Sequence, residues 1–156
     1  MMIRRAEIRD IEGLKRLLLQ VNNVHNAGRP DIFRKDCMKY NDEELKEILT
    51  DDERPIFVSV DNDEYVQGYC FCIVEDHHGD NNLVDMKTLY IDDLCVDENI
   101  RGKHIGKNIF EFVKDYAKKE GFYNLTLNVW ALNDSAHKFY DSMGMHILKY
   151  GMESIL

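Results

Sequence analysis

The stretch Leu94-Cys95-Val96-Asp97-Glu98-Asn99-Ile100-Arg101-Gly102-Lys103-His104-Ile105-Gly106-Lys107 has the make-up of an anion cradle. An apolar strand ends, a short loop rich in glycine and basic residues follows, and an amphipathic helix begins. A helix N-terminus offers unpaired N–H groups and the positive end of the helix dipole. Gly102 and Gly106 let the main chain come close to a pyrophosphate, and Arg101, Lys103 and Lys107 add positive charge. Neither the G-x-x-x-x-G-K-(S/T) loop nor the G-x-G-x-x-G fingerprint is present. On local chemistry alone, an ordinary basic helix start accounts for the same residues.

Two acids, Asp92 and Asp93, stand next to each other just before this stretch. In a regular strand, neighbours face opposite ways. A carboxylate near pKa 4 is a poor base unless burial raises it or water relays the proton. His77-His78 lies in a polar loop without further ligands and reads as solvated, so no metal is expected. The four cysteines, Cys37, Cys70, Cys72 and Cys95, match no zinc or redox spacing. Cys70 and Cys72 fall on one strand face and read as buried thiols.

Those residues have to be positioned by the rest of a 156-residue chain, a length that suits one domain, 1–156. Hydrophobic residues at 44% and charged residues at 31% are ordinary for a globular protein. A formal net charge of −9 argues against a general nucleic-acid binder and is compatible with a cationic acceptor. No apolar run approaches the ~18 residues of a membrane helix. Met1 to Glu7 lacks the apolar core of a signal peptide. A cytoplasmic protein without nucleic-acid or membrane partners is the expectation.

The pattern predicts a strand over Ile3 to Ile8, with Asp10 capping a helix whose stripe is Ile11, Leu14, Leu18 and Val21, broken at His25 to Pro30. Asn41-Asp42-Glu43-Glu44 reads as a capping box opening a second helix to about Leu49. Strands follow at Pro55–Val60 and Tyr65–Val74 around a turn at Asp61 to Glu64, then at Lys87–Val96. A helix over Ile105–Lys119 carries the stripe Ile105, Ile109, Phe112, Val113 and Tyr116, with Gly121 as C-cap. Asn124–Trp130 reads as a strand, and Asn133 as the cap of a last helix containing Ala136, Phe139, Tyr140 and Met143, ended by Gly144. Met145 to Leu156 reads as extended. The fold class is α/β: a mixed sheet flanked by helices.

Arg101-Gly102-Lys103-His104-Ile105-Gly106 resembles the (R/Q)-x-x-G-x-(G/A) pattern of the GNAT superfamily of N-acetyltransferases, with His104 at the first glycine. Asn133-Asp134-Ser135-Ala136-His137-Lys138-Phe139-Tyr140-Asp141-Ser142-Met143-Gly144-Met145 is similar to that family's second signature, N-x-x-A-x-x-F-Y-x-x-x-G-(F/M). The resemblance covers nearly the whole chain. It implies the GNAT acyl-CoA N-acyltransferase fold and transfer of an acetyl group from acetyl-CoA to the primary amine of a small molecule or peptide. It also implies that the backbone of Leu94, Cys95 and Val96 pairs with the pantetheine arm. The amides of Arg101, Gly102, Lys103, His104, Ile105, Gly106 and Lys107 would then hold the pyrophosphate, and Asn133 and Ser135 would face the cofactor arm. Tyr140 matches the tyrosine that protonates the coenzyme A thiolate in many relatives. Tyr90-Ile91-Asp92-Asp93 resembles the acidic pair of spermidine/spermine acetyltransferases, whose first acid makes Asp92 the candidate base. His104 is expected to sit in helical backbone without strain. His25, Arg29, Phe33 and Tyr40 are candidates to line the acceptor path. A homodimer is compatible with the family, as is a non-catalytic acetyl-CoA sensor of the same fold.

Overall fold

The structure is a computed structural model and describes residues 1–100 and 102–156. Among these, β1 (Met2–Arg5), β2 (Ile56–Val60), β3 (Val66–Asp76), β4 (Lys87–Val96) and β5 (Asn124–Leu127) form one sheet in the order β1-β2-β3-β4-β5. The first four strands are antiparallel, while β4 and β5 run parallel. A parallel pair needs a crossover, and α3 (Ile105–Lys119) supplies it. Helices α1 (Ile11–Gly28) and α2 (Asp42–Leu49) cover one face. Helix α3 and α4 (Asp134–Ser142) cover the other.

The strand alternation sorts the core into two layers. Val58, Val60, Tyr69, Phe71 and Cys95 face α1, which buries Ile11, Leu14, Leu17 and Leu18 against them. Phe57, Cys70, Cys72, Leu89 and Ile91 face α3. Each fully buried leucine of α1 is worth roughly 1.5–3 kcal/mol. Cys70 and Cys72 do share a face, with their sulfurs 3.6 Å apart.

Several local expectations hold. Asn41 accepts from the Glu44 amide at 2.9 Å while Glu44 accepts from the Asn41 amide at 2.8 Å, a complete capping box. Gly121 and Gly144 both end helices with positive φ. Others shift. Asp10 does not cap α1: its carboxylate turns back to Arg4 and to the Glu7 amide, fastening β1 to the helix start. Helix α1 continues past His25 to Gly28. The buried stripe of α3 runs through Phe110 and Ala117, and leaves Phe112 exposed and Tyr116 partly buried. Strand β5 stops at Leu127, and 145–156 forms no strand.

Strand β4 carries an irregularity that decides the site. Phe71 pairs with Asp93 and the next residue, Cys72, pairs with Ile91, so Asp92 has no counterpart on β3. An extra residue on one strand is a β-bulge. It resets the alternation, leaving Ile91 and Leu94 on the α3 side and both acids on the α1 side. The expectation that Asp92 and Asp93 face opposite ways is therefore wrong.

Candidate active site

The pairing of β4 with β5 ends at Ile91 and Leu127, yet β4 runs on to Val96. From Asp92 to Val96 the β4 edge facing β5 has no partner strand among the described residues, which leaves main-chain groups exposed along a notch. Leu94, Cys95 and Val96 lie on that edge. The α1-side wall of the notch holds the two acids. Asp92 accepts from Lys39 Nζ at 2.6 Å and from Tyr40 Oη at 3.0 Å. Asp93 accepts from Tyr69 Oη at 2.6 Å. The two tyrosines flank one ring: Tyr40 stacks on Phe71 at 5.6 Å, and Tyr69 meets it edge-on at 4.9 Å.

Burial, and to a lesser extent the negative charge of Asp92, lift the Asp93 carboxyl to about 6 against the opposing pull of the Tyr69 bond. No residue spacing pointed to this shift. The signal is the bulge, which brings a second acid beside the first in the packed interior.

Tyr140 packs on the α3 side, its ring 6.1 Å from Phe110 and 5.0 Å from Phe139. Its hydroxyl has no protein partner among the described residues. Burial, then the nearby Cys70 and Asp93, raise its pKa well above the usual phenol value. It is a phenol at any physiological pH, with a proton committed to no one.

Beyond the notch, Asp97 is fully buried and collects Arg16, Tyr65 Oη (2.7 Å), Gln20 Nε2 (3.4 Å) and the Asn99 amide (3.0 Å). Burial opposes its charge, but these donors together hold the carboxyl far below the ordinary range. The residue ties the loop that leaves β4 to α1 and β3, a role the motif did not suggest. Helix α3 then starts without a side-chain cap. Its first in-helix bond is from Asn108 N to His104 O, and the amides of Ile105, Gly106 and Lys107, in the first turn, have no acceptor among the described residues. Lys103 and Lys107 are exposed and pair with no acid among the described residues. The expectation for Arg101 lies outside the described residues.

Gly102 and His104 both have positive φ, 87° and 57°. His104 is thus in left-handed backbone and not in helix, contrary to expectation, which explains physically why the family places glycine there. A left-handed non-glycine residue is strained by about 1–2 kcal/mol, partly offset by the greater freedom glycine has when unfolded. His104→Gly is expected to stabilise the protein by about 0.5–1 kcal/mol, or a Tm gain of roughly 1–4 °C. Thermal unfolding of the two proteins checks it, and an unchanged or lower Tm contradicts the strain.

Asn133 caps α4 by accepting from the Ala136 amide at 3.1 Å, so its oxygen is already used, and Ser135 is exposed. The two signatures meet in space: a Cβ on Gly106 would stand 3.6 Å from the Phe139 ring. Asn133 also lines a cavity of about 220 Å³ with His25, Arg29 and Trp130. Phe33 meets Trp130 edge-on at 5.3 Å and His25 at 5.0 Å, and burial lowers the His25 pKa. The expected lining residues therefore split, with Tyr40 at the acids and His25, Arg29 and Phe33 around Trp130, which the sequence reading did not include. No helix among the described residues is long and apolar enough to cross a membrane. No group of three or more metal-ligating side chains comes together among them.

A mixed sheet that opens between parallel strands, over an uncapped helix start, is the framework of an acyl-group transferase. The family model described as Acetyltransferase (GNAT) family matches residues 18–145, and the chain belongs to that family. The crystal structure of a mutant of the BH1408 protein of Bacillus halodurans is 35% identical and superposes with a TM-score of 0.94, over 100% of this chain and 99% of that one. An uncharacterized N-acetyltransferase of Lactobacillus delbrueckii subsp. lactis is 31% identical over 99 residues, 64% of this chain and 55% of that protein. Glucosamine 6-phosphate N-acetyltransferase of Arabidopsis thaliana is 37% identical over 59 residues, 38% of each. Its crystal structure matches with a TM-score of 0.72 and 26% identity, over 99% of this chain and 97% of that one. The matched sequence thus spans about half or less of the curated relatives' length.

Proposed function

We propose that this chain is a single-domain N-acetyltransferase that moves an acetyl group from acetyl-CoA to the primary amine of a small molecule or peptide by direct transfer. The observation that carries the reading is the notch where β4 and β5 part, with Asp92 and Asp93 on its α1 side and the unpartnered Tyr140 hydroxyl on its α3 side. The first-turn amides of α3, which have no acceptor among the described residues, and the β4 edge fit a pyrophosphate and its amide-bearing arm. When bound, acetyl-CoA supplies the activated acyl group.

This chain's residues then have three tasks. The first is to receive an ammonium. Lys39 sits on Asp92 at 2.6 Å, with its Nζ 5.4 Å from the Tyr40 ring centre. A carboxylate beside an aromatic face is a cation site, and here the chain's own exposed lysine fills it. A cationic acceptor would take that place. The second task is to take a proton from the amine. An amine of pKa about 10.4 costs about 4.6 kcal/mol to neutralise at pH 7. Asp93, lifted to about 6, is a better matched base than an ordinary carboxylate, while Asp92 orients the amine. The third is to return a proton to the departing sulfur, for which Tyr140 is the available donor. Holding both partners in the notch contributes through proximity, roughly 7–11 kcal/mol in favourable cases.

The test is release of free thiol from acetyl-CoA in the presence of a panel of polyamines, amino sugars, amino acids and peptides, with mass spectrometry of the products. Turnover with at least one amine, adding one acetyl group to its nitrogen, is the expected result. Tight binding of acetyl-CoA with no turnover on any amine would reassign the protein to sensing, and no binding would remove the proposal.

A further inference from the structure

Residues 29–41 join α1 to α2 and are fastened to the helix they leave. Asn22 Nδ2 donates to Arg34 O at 2.7 Å, and Asn26 Nδ2 donates to Phe33 O at 2.7 Å. Asn23 bonds Asp36 twice: its Nδ2 donates to the carboxylate at 3.0 Å, and its Oδ1 accepts from the Asp36 amide at 2.9 Å. At the far end of the loop, Tyr40 is stacked on Phe71. Lys39 stands between these anchors, and its ammonium reaches Asp92 at 2.6 Å.

No other lysine among the described residues forms an ion pair with Asp92 or Asp93. Lys15, Lys46 and Lys118 pair with acids of α1, α2 and α3, and Lys103 and Lys107 stand at the start of α3. The Lys39 pair is also a weak device for holding the loop. The lysine side chain is 51% exposed, and exposed pairs contribute about 0–1 kcal/mol. The three asparagines already secure the loop without it. What the pair does achieve is to put a primary amine at the head of the notch, where β4 and β5 part.

We infer that Lys39 is a self-modification site: with no free acceptor in the notch, its ε-amine takes the acetyl group from acetyl-CoA bound to the same copy. The inference rests on the transferase reading above. A tethered amine is presented at an effective concentration on the order of millimolar or more, which no dilution lowers. The ammonium first gives a proton to Asp93, which passes it to water. The Nζ–carbon bond then forms at the acetyl carbonyl, and the carbon–sulfur bond breaks. Tyr140 protonates the departing sulfur, and the second proton shed by the nitrogen as it becomes an amide restores the Tyr140 phenol. The products are free coenzyme A thiol and a neutral acetyl-lysine, which no longer pairs with Asp92 as a cation.

The full chain, incubated with acetyl-CoA and no added amine, is followed by intact-protein and peptide mass spectrometry. The expected result is one acetyl group per chain, on Lys39, at a first-order rate that does not change with protein concentration. Lys39→Arg should lose the mark, and Tyr140→Phe should slow it roughly tenfold or more. Trace labelling with acetic anhydride, without acetyl-CoA, supplies an independent readout. There Lys39 should be among the slowest lysines, because Asp92 keeps it protonated, and Asp92→Asn should speed it. The inference is overturned if Lys39 gains acetyl from acetyl-CoA no faster than exposed Lys103 or Lys138, or at a rate that rises with protein concentration. It is also overturned if Lys39 labels readily with the anhydride. Turnover of free amines with Lys39 unmodified removes self-acetylation and leaves the transferase reading intact. Acetyl transfer neither to Lys39 nor to any free amine removes both.

Discussion

Replacing Tyr140 by phenylalanine should lower kcat for acetyl transfer by about a hundredfold to ten-thousandfold, the usual worth of a positioned general acid. Binding of acetyl-CoA should change by no more than a few fold. The stability should stay within about 0.5 kcal/mol of wild type, because the hydroxyl makes no hydrogen bond among the described residues. Burial lifts the phenol above its usual pKa, which by itself makes it a weaker acid. The same dry surroundings raise a thiolate too, so the difference between donor and acceptor is what matters, and both shift in the same direction. Rapid-quench or steady-state kinetics on the two proteins, with calorimetry for the cofactor, measures each quantity. An unaltered kcat removes Tyr140 from proton transfer.

The second large effect belongs to Asp93. With its carboxyl at about 6, the wild-type kcat/KM should climb with pH through that value, separately from the limb near 10 set by a free amine. Asp93→Asn should remove the lower limb and cut kcat/KM about a hundredfold or more. Stability should move the other way. Folding raises this pKa from 3.8 to about 6, so in that window the native state holds a proton the unfolded chain has released. Stability therefore falls as pH rises through the window, by about 3 kcal/mol, and stays lower above it. The asparagine variant escapes that loss and should melt several degrees higher at pH 7. The limb near 6 persisting in Asp93→Asn would transfer the base role elsewhere, with Asp92 first in line.

Much of the frame was legible because it rests on local rules. The capping box at Asn41, the α3 boundaries at Ile105 and Lys119, and the glycines after α3 and α4 are each determined by a few neighbouring residues. The two family signatures were likewise readable as strings, and the structure brings them into contact at Gly106 and Phe139. What escaped depends on partners distant in the chain. Asp10 looks like a helix cap until Arg4 claims it. His104 looks helical until the turn through Gly102 forces a positive φ. Lys39 and Asp92 are fifty-three residues apart, and no spacing rule joins them. Residues 145–156 read as extended yet form no strand, because strand pairing needs a partner edge that the periodicity of one segment does not name.

The unmatched residue of β4 works as a phase shifter. Below it the strand sends odd-numbered side chains, Leu89 and Ile91, toward α3. Above it the even-numbered ones, Leu94 and Val96, go there instead. The two acids occupy the hinge of that change, which is why they stand shoulder to shoulder. Their partnership is thus encoded by strand length and not by acidity alone: with one residue fewer in β4, the two halves of the strand would fall into step, and only one carboxylate could look into the notch.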